Sequence, residues 1–205
     1  MPRLVDALPH LGVEDHTSRA TVAVAFLRDV LSAARASALI NDTVIVSPDR
    51  LLADEAGRFG ARGVASDGGS VVSLLKQARL VEGPSLVISY DLPCVDSLDL
   101  TTVVTHMRGR WRAVHAADLH GPDPTVVGSC YPDVLPDVAV GQPLGAARGS
   151  AGVSNDLLGI RCRVQSAADL SVAASLGLGR HSNRAAEDLQ LLGDRRARFA
   201  SKKWI

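Results

Sequence analysis

With 205 residues, equal numbers of basic (22) and acidic (22) side chains and only 3% aromatic residues, the chain is long enough to bury one core, and a single domain over 1–205 is expected. Its zero formal charge and the lack of any basic stripe leave no electrostatic footprint for nucleic acid or an anionic membrane surface. The segment Met1 to Leu11 has no charged start followed by an apolar run, and no apolar stretch reaches the ~18 residues of a membrane span, so a soluble, cytoplasmic protein is expected.

Between Glu14 and Ser37, Ala20, Ala23, Leu27, Val30, Leu31 and Ala34 recur at three and four, which predicts a long amphipathic helix with Asp15 or Thr17 as its cap. Thr43 to Ser47 is β-branched and bounded by Asn41-Asp42 and Pro48-Asp49; it reads as a buried parallel strand ending at the start of a short helix, Asp49 to Arg58. Arg62 to Ala65 reads as extended and Ser70 to Leu80 as helical. The next buried strand is Ser85 to Ser89, ending in Tyr90-Asp91-Leu92-Pro93. A helix from Ser97 or Asp99 to about Met107 follows, then extended pieces at Arg112 to Ala117 and Thr125 to Cys130 around a turn from Asp118 to Pro124.

The stretch Tyr131 to Asp156, rich in Pro, Gly and Asp, reads as a loop with a weak helical turn, either a functional cover or a plain surface excursion. A last strand is expected at Gly159 to Val164, then a helix from Ser166 to Leu176 with Asp169 placed for a capping box, and a charged tail over 184–205 as a peripheral helix. Alternating β and α with short connections predicts an α/β fold: a mostly parallel sheet with right-handed crossovers and helices on both faces. Cys94, Cys130 and Cys162 are odd in number and lack metal-ligand spacing, and read as reduced thiols.

Three stretches in order resemble the guanylyltransferases that act on 2-phospholactate or phosphoenolpyruvate in deazaflavin coenzyme biosynthesis. Arg3-Leu4 with Ala20 to Ala34 and Val44 to Asp49 looks like that family's Arg-Leu, long helix and second strand. Leu86 to Pro93 looks like its strand ending in Gly-Asp-Leu-Pro. Gly159 to Cys162 through Ser166 to Leu170 and Leu176-Gly-Leu-Gly179 looks like its closing strand, helix and Leu-Gly-Val-Gly. The resemblance implies a nucleotidyltransferase (Rossmann-like) fold, here without the family's first strand and its Lys, since the sequence starts two residues before the Arg-Leu.

The resemblance also implies GTP and Mg2+ as reactants, because nucleotidyl transfer needs a divalent cation held by carboxylates. Of the family's acidic groups, one is matched by Asp91 at a strand's carboxyl end, where α/β sheets place ligands. Arg163-Val164-Gln165 stands where Asp-Val-Asp would supply the others. An Arg beside Asp91 would compete with Mg2+, and an ion pair is the plain alternative. The family's phosphate-embracing Gly-Thr-Gly-Thr appears as Gly121-Pro122-Asp123-Pro124, where two prolines remove donors and Asp123 repels phosphate. Asp67-Gly68 replaces a Leu-Asn pair, Gly141 to Gly145 only echoes a phosphate loop, and Tyr90 replaces a Gly.

Several residues stay open between a functional and a structural role. Asp91 reads as a metal ligand or acid/base, or as an ion-paired carboxylate. His115, Asp118, His120 and Asp123 read as an acid/base or metal group, or as solvated turn residues. Tyr90 orients a polar ligand or fills core; Arg3 binds an anion or lies exposed. The site expected from these residues comprises Asp91, Tyr90 and His120 for catalysis and Arg3, Gly121, Asp123, Thr125 and Arg163 for substrate, with no metal and no cofactor. Three functions follow: a divergent nucleotidyltransferase-fold protein that has lost guanylyl transfer and binds another small molecule, with or without metal-free acid/base chemistry; an active guanylyltransferase using GTP and Mg2+; or a non-catalytic assembly subunit, homodimeric through an unpaired sheet position.

Overall fold

The computed structural model describes residues 8, 10–13, 15–66, 70–80, 82–110, 113–131, 135 and 151–192. Arg3, Asp67-Gly68, Gly141 to Gly145 and the tail beyond 192 lie outside the described residues.

Helix α1 (His16–Ala36) begins where the Asp15 carboxylate accepts from the Ser18 N–H at 2.7 Å, satisfying one of the four orphan amides of a helix start. It ends as Ser37 turns extended. Its apolar residues serve two cores at once. Val22, Ala23, Phe26, Leu27 and Leu31 pack with Ile45, Leu52, Cys162, Val164 and Leu170, while Val30, Ala33 and Ala34 pack with Leu92, Val95, Leu100, Val103 and Met107. A helix apolar over so wide an arc must be covered on both sides, and α1 is the spine between the two.

Strand β1 (Val44–Ser47) pairs in parallel with β2 (Arg62–Ala65), Val44 opposite Arg62. Between them runs α2 (Arg50–Arg58), capped by Asp49 through the Leu51 N–H at 2.9 Å. Next come α3 (Val71–Ala78), capped by Ser70, β3 (Ser85–Ile88) and α4 (Ser97–Arg108). Helix α4 starts at Ser97, the earlier of the two expected starts, where the Asp96 carboxylate accepts from the Asp99 N–H at 2.8 Å.

A second sheet has the order β3-β5-β4-β6, built with β4 (Val114–Ala117), β5 (Pro124–Ser129) and β6 (Ala151–Gly152). Strand β5 runs antiparallel to both β3 and β4, and β6 runs parallel to β4. The expected mostly parallel sheet is thus corrected to a mixed one. The cause is the connection at 118–123, closed by the Asp118 N–H on the Asp123 carbonyl at 2.9 Å. A parallel return needs about a dozen residues, so a turn this short makes β4 and β5 a hairpin.

Helices do cover both faces of this sheet. Val114, Ala116 and Val126 face α1 and α4, whereas Ala113, Val87 and Val127 face α3.

The expected strand at Gly159 to Val164 is also corrected. Leu158–Arg161 forms a single helical turn, α5, and the chain extends only afterwards. The place beside β4 is already taken by β6, and Arg161 turns inward to donate from Nε to the Ala117 carbonyl at 3.1 Å. Gly159 fits because it has no side chain: a Cβ there would lie 2.1 Å from Asp99 Oδ2 and 2.7 Å from the Cys94 carbonyl. Helix α6 (Ala167–Leu176) carries the expected Ser166–Asp169 capping box. Helix α7 (Arg180–Asp188) starts before the expected tail helix and ends within it, with residues 189–192 forming a turn.

Asp99, in the first turn of α4, is enclosed against α5. Burial, reinforced by Asp96, pushes its carboxyl up from 3.8 to about 6. The folded state therefore holds a proton that the unfolded chain releases at lower pH. That contribution is fully present below about pH 4 and is lost as pH rises through about 6. Asp99→Asn is expected to raise the melting temperature at about pH 7.5 and to leave it unchanged near pH 4. Thermal melts at both pH values check this, and a uniform loss at both would refute it.

Candidate functional site

At the end of β3 the chain leaves the sheet through Ser89, Tyr90 and Asp91. Asp91 is only 2% exposed, a burial that an ionised carboxylate tolerates only when paired. Its Oδ1 accepts from the Ser89 hydroxyl, and its Oδ2 accepts from Arg163 Nε at 2.7 Å. The same two segments are tied through the backbone, the Val164 N–H donating to the Asp91 carbonyl at 3.0 Å. With the Gln165 amide oxygen turned toward it, Arg163 also donates from Nη2 at 2.9 Å. The guanidinium is thus clasped between the carboxylate of the strand end and the amide of its own segment.

Two further carboxylates face this cation. Burial raises the Asp118 carboxyl, against the hydrogen bond from the His120 N–H at 3.1 Å and the charge of Arg163. Burial alone would weaken the Arg163 charge, but Asp91, then Asp118 and Asp123, outweigh it and hold the guanidinium firmly cationic. One cation thus lies among three carboxylates.

Tyr90 is largely buried and packs on the core that includes Phe26 and Leu170. Burial, followed by the charge of Asp91, pushes its phenol well above the ordinary value. The hydroxyl therefore keeps its proton and can donate, but it cannot act as a base near neutral pH.

His120 is exposed, and its Nε2 lies 3.7 Å from Oδ1 of Asp169. Asp169 in turn caps α6 by accepting from the Ser166 N–H at 2.9 Å, so the imidazole leans toward that helix start. Thr125 is buried on β5 with its hydroxyl 2.5 Å from the Ile160 carbonyl and 3.2 Å from the Ala116 carbonyl. Its hydrogen is committed within the fold. Gly121 lies half-buried on the hairpin turn, and Asp123 closes that turn through its carbonyl.

Of the expected residues, the fold brings together Asp91, Tyr90, Arg163 and Asp123; it points His120 toward Asp169 and spends Thr125 inside. Arg3 is outside the described residues. His115, grouped in sequence with Asp118, His120 and Asp123, stands on β4 with Nδ1 buried and without a hydrogen-bond partner among the described residues, and burial lowers its pKa. Ser89 is the participant that sequence reading missed; a hydroxyl two residues before a strand-end carboxylate was its only signal. Among the described residues, no three His, Cys, Asp or Glu side chains are disposed to hold a metal ion.

No family model matches the chain. It is 28% identical over 163 residues to the phosphoenolpyruvate guanylyltransferase of Geodermatophilus obscurus, covering 78% of this chain and 75% of that protein. It is also 28% identical over 190 residues to the phosphoenolpyruvate guanylyltransferase of Streptomyces avermitilis, covering 85% of each. The resemblance read from the motifs thus extends along most of the chain.

Proposed function

We propose that this chain, similar over most of its length to phosphoenolpyruvate guanylyltransferases, is a divergent protein of nucleotidyltransferase-like fold that has set guanylyl transfer aside and binds a polar small molecule without a phosphate. The observation that carries this reading is the buried contact between Arg163 Nε and Asp91 Oδ2 at 2.7 Å.

A magnesium ion asks for oxygen donors in near-octahedral geometry. Here both oxygens of Asp91 already accept hydrogen bonds, and the positions that the motif resemblance matches to the partner carboxylates hold Arg163, a cation, and Gln165, an amide. Seating a dication would break the ion pair and leave two positive centres side by side. At about 4 Å and an effective dielectric of about 20, each pair of unit like charges repels by about 4 kcal/mol. The residues present therefore do not suit the ion. For metal-free proton transfer, the hairpin turn offers Asp118, whose carboxyl is raised by burial, together with His120 and Asp123.

With GTP, Mg2+ and phosphoenolpyruvate, the wild-type chain is expected to release pyrophosphate no faster than Asp91→Asn. Release that Asp91→Asn abolishes would overturn the proposal. It would establish the second reading, active guanylyl transfer, which is favoured by the extent of the similarity to two enzymes of that name.

A further inference from the structure

The stretch from Arg161 to Ser166, which carries Arg163 into the candidate site, is anchored at both ends by groups from other elements. At one end the Leu119 N–H of the hairpin turn donates to the Arg161 carbonyl at 2.9 Å, and the Leu119 side chain packs on the core. At the other end Oδ2 of Asp169, in the first turn of α6, accepts from the Gln165 N–H at 3.1 Å, the Ser166 N–H at 2.9 Å and the Ser166 hydroxyl at 2.8 Å. Three donors occupy that oxygen. Oδ1 faces His120 instead, whose Nε2 stands 3.7 Å away. This contact joins the two anchors and closes a ring that runs from Arg161 through Leu119, His120 and Asp169 to Gln165 and back along the chain through Arg163.

At 3.7 Å the contact is too long for a hydrogen bond, so its strength rests on charge, and the imidazole carries charge only when protonated. The other charged groups facing it are Asp118, which accepts from the His120 N–H at 3.1 Å, and Asp123 on the same turn, both of which favour the imidazolium, and Arg163 between the anchors, which opposes it. His10 lies at the start of α6, its carbonyl accepting from the Ala167 N–H at 3.2 Å, and competes for Asp169 when protonated. We infer that His120 and Asp169 form a proton-operated latch, which holds the hairpin turn against the start of α6 beside Arg163 and releases it as the imidazole loses its proton. The latch sets the mobility of the turn that bears Asp118 and Asp123, whatever ligand the site takes, and so does not depend on the proposed function.

Hydrogen exchange at the Leu119 amide, followed by nuclear magnetic resonance on the full chain and corrected for intrinsic exchange, reads the opening of the turn. The comparison is with His120→Gln, an exposed substitution that keeps His10 and Asp99 and therefore shares their pH dependence. For a half-exposed pair, the wild-type opening constant is expected to be about two- to five-fold smaller than that of His120→Gln at about pH 5.5 and equal to it at about pH 7.5. Asp169→Asn, whose amide oxygen can still cap α6 without a charge, should match His120→Gln at both pH values. Should Asp169→Asn fail to fold, wild type and His120→Gln decide the matter. Equal opening of those two at the lower pH, a difference that persists unchanged at the higher pH, or low-pH protection retained by a folded Asp169→Asn would each overturn the inference.

Discussion

Replacing Arg163 with alanine is expected to destabilise the fold by about 3–5 kcal/mol, the usual cost of stranding one member of a buried ion pair. The carboxylate left behind is 2% exposed and keeps a single side-chain donor, Ser89. The reciprocal change, Asp91→Ala, is expected to cost less. The Arg163 side chain retains 17% exposure, Gln165 still accepts from it, and Asp118 and Asp123 still oppose its charge. The double variant Asp91→Ala with Arg163→Ala should cost well below the sum of the two single changes, since neither site then holds an uncompensated charge. Urea denaturation of the four proteins measures the cycle. Equal costs within about 0.5 kcal/mol and no coupling would mean that the contact is a solvated pair of little consequence.

A comparable loss, about 2–4 kcal/mol, is expected for Asp29→Ala, because hydrogen bonds to a buried charge are the costly ones to lose. Asp29 projects from α1, is 4% exposed, and accepts from the His181 N–H at 3.0 Å, the Ser182 N–H at 2.8 Å and the Ser182 hydroxyl. Helix α7 has Gly179 at its cap position, which offers no side chain; its cap comes from another helix instead. A negative charge at a helix start also meets the favourable end of the helix dipole. Gly179 is what lets the carboxylate in, since a Cβ there would stand 2.3 Å from Asp29 Cγ and 2.6 Å from both oxygens. Gly179→Ala should therefore be destabilising by itself, yet add little to Asp29→Ala, because the clash and the cap share the same atoms. Thermal or urea unfolding of the single and double variants checks this. Additive losses would show that Gly179 matters for some reason other than Asp29.

What was legible in the sequence followed local rules. Asp15, Asp49, Ser70 and Ser166 all cap the helices they precede, because capping depends only on residues within one turn. The meeting of Asp91 with Arg163 was legible too, through the order of the motifs rather than through any local pattern. The sheet's mixed pairing was not. A β-branched run such as Thr125 to Val127 looks the same in a parallel or an antiparallel ladder, and only the shortness of the Asp118 to Asp123 turn distinguished them. Gly159 to Val164 has the composition of a strand, but β6 occupies the edge it would have needed. Asp29 was invisible for another reason. Its partners lie at His181 and Ser182, and the only clue was a carboxylate set between Leu27 and Val30 in an otherwise apolar stripe.

The most direct test of the ion pair's consequence is manganese binding, followed by electron paramagnetic resonance with GTP present. The expected result is that wild-type chain leaves the spectrum of the manganese–GTP complex unchanged, as Asp91→Asn does. A stoichiometric protein-bound manganese signal that vanishes in Asp91→Asn would mean that Arg163 yields its place to the cation, and that Asp91 still serves phosphate chemistry.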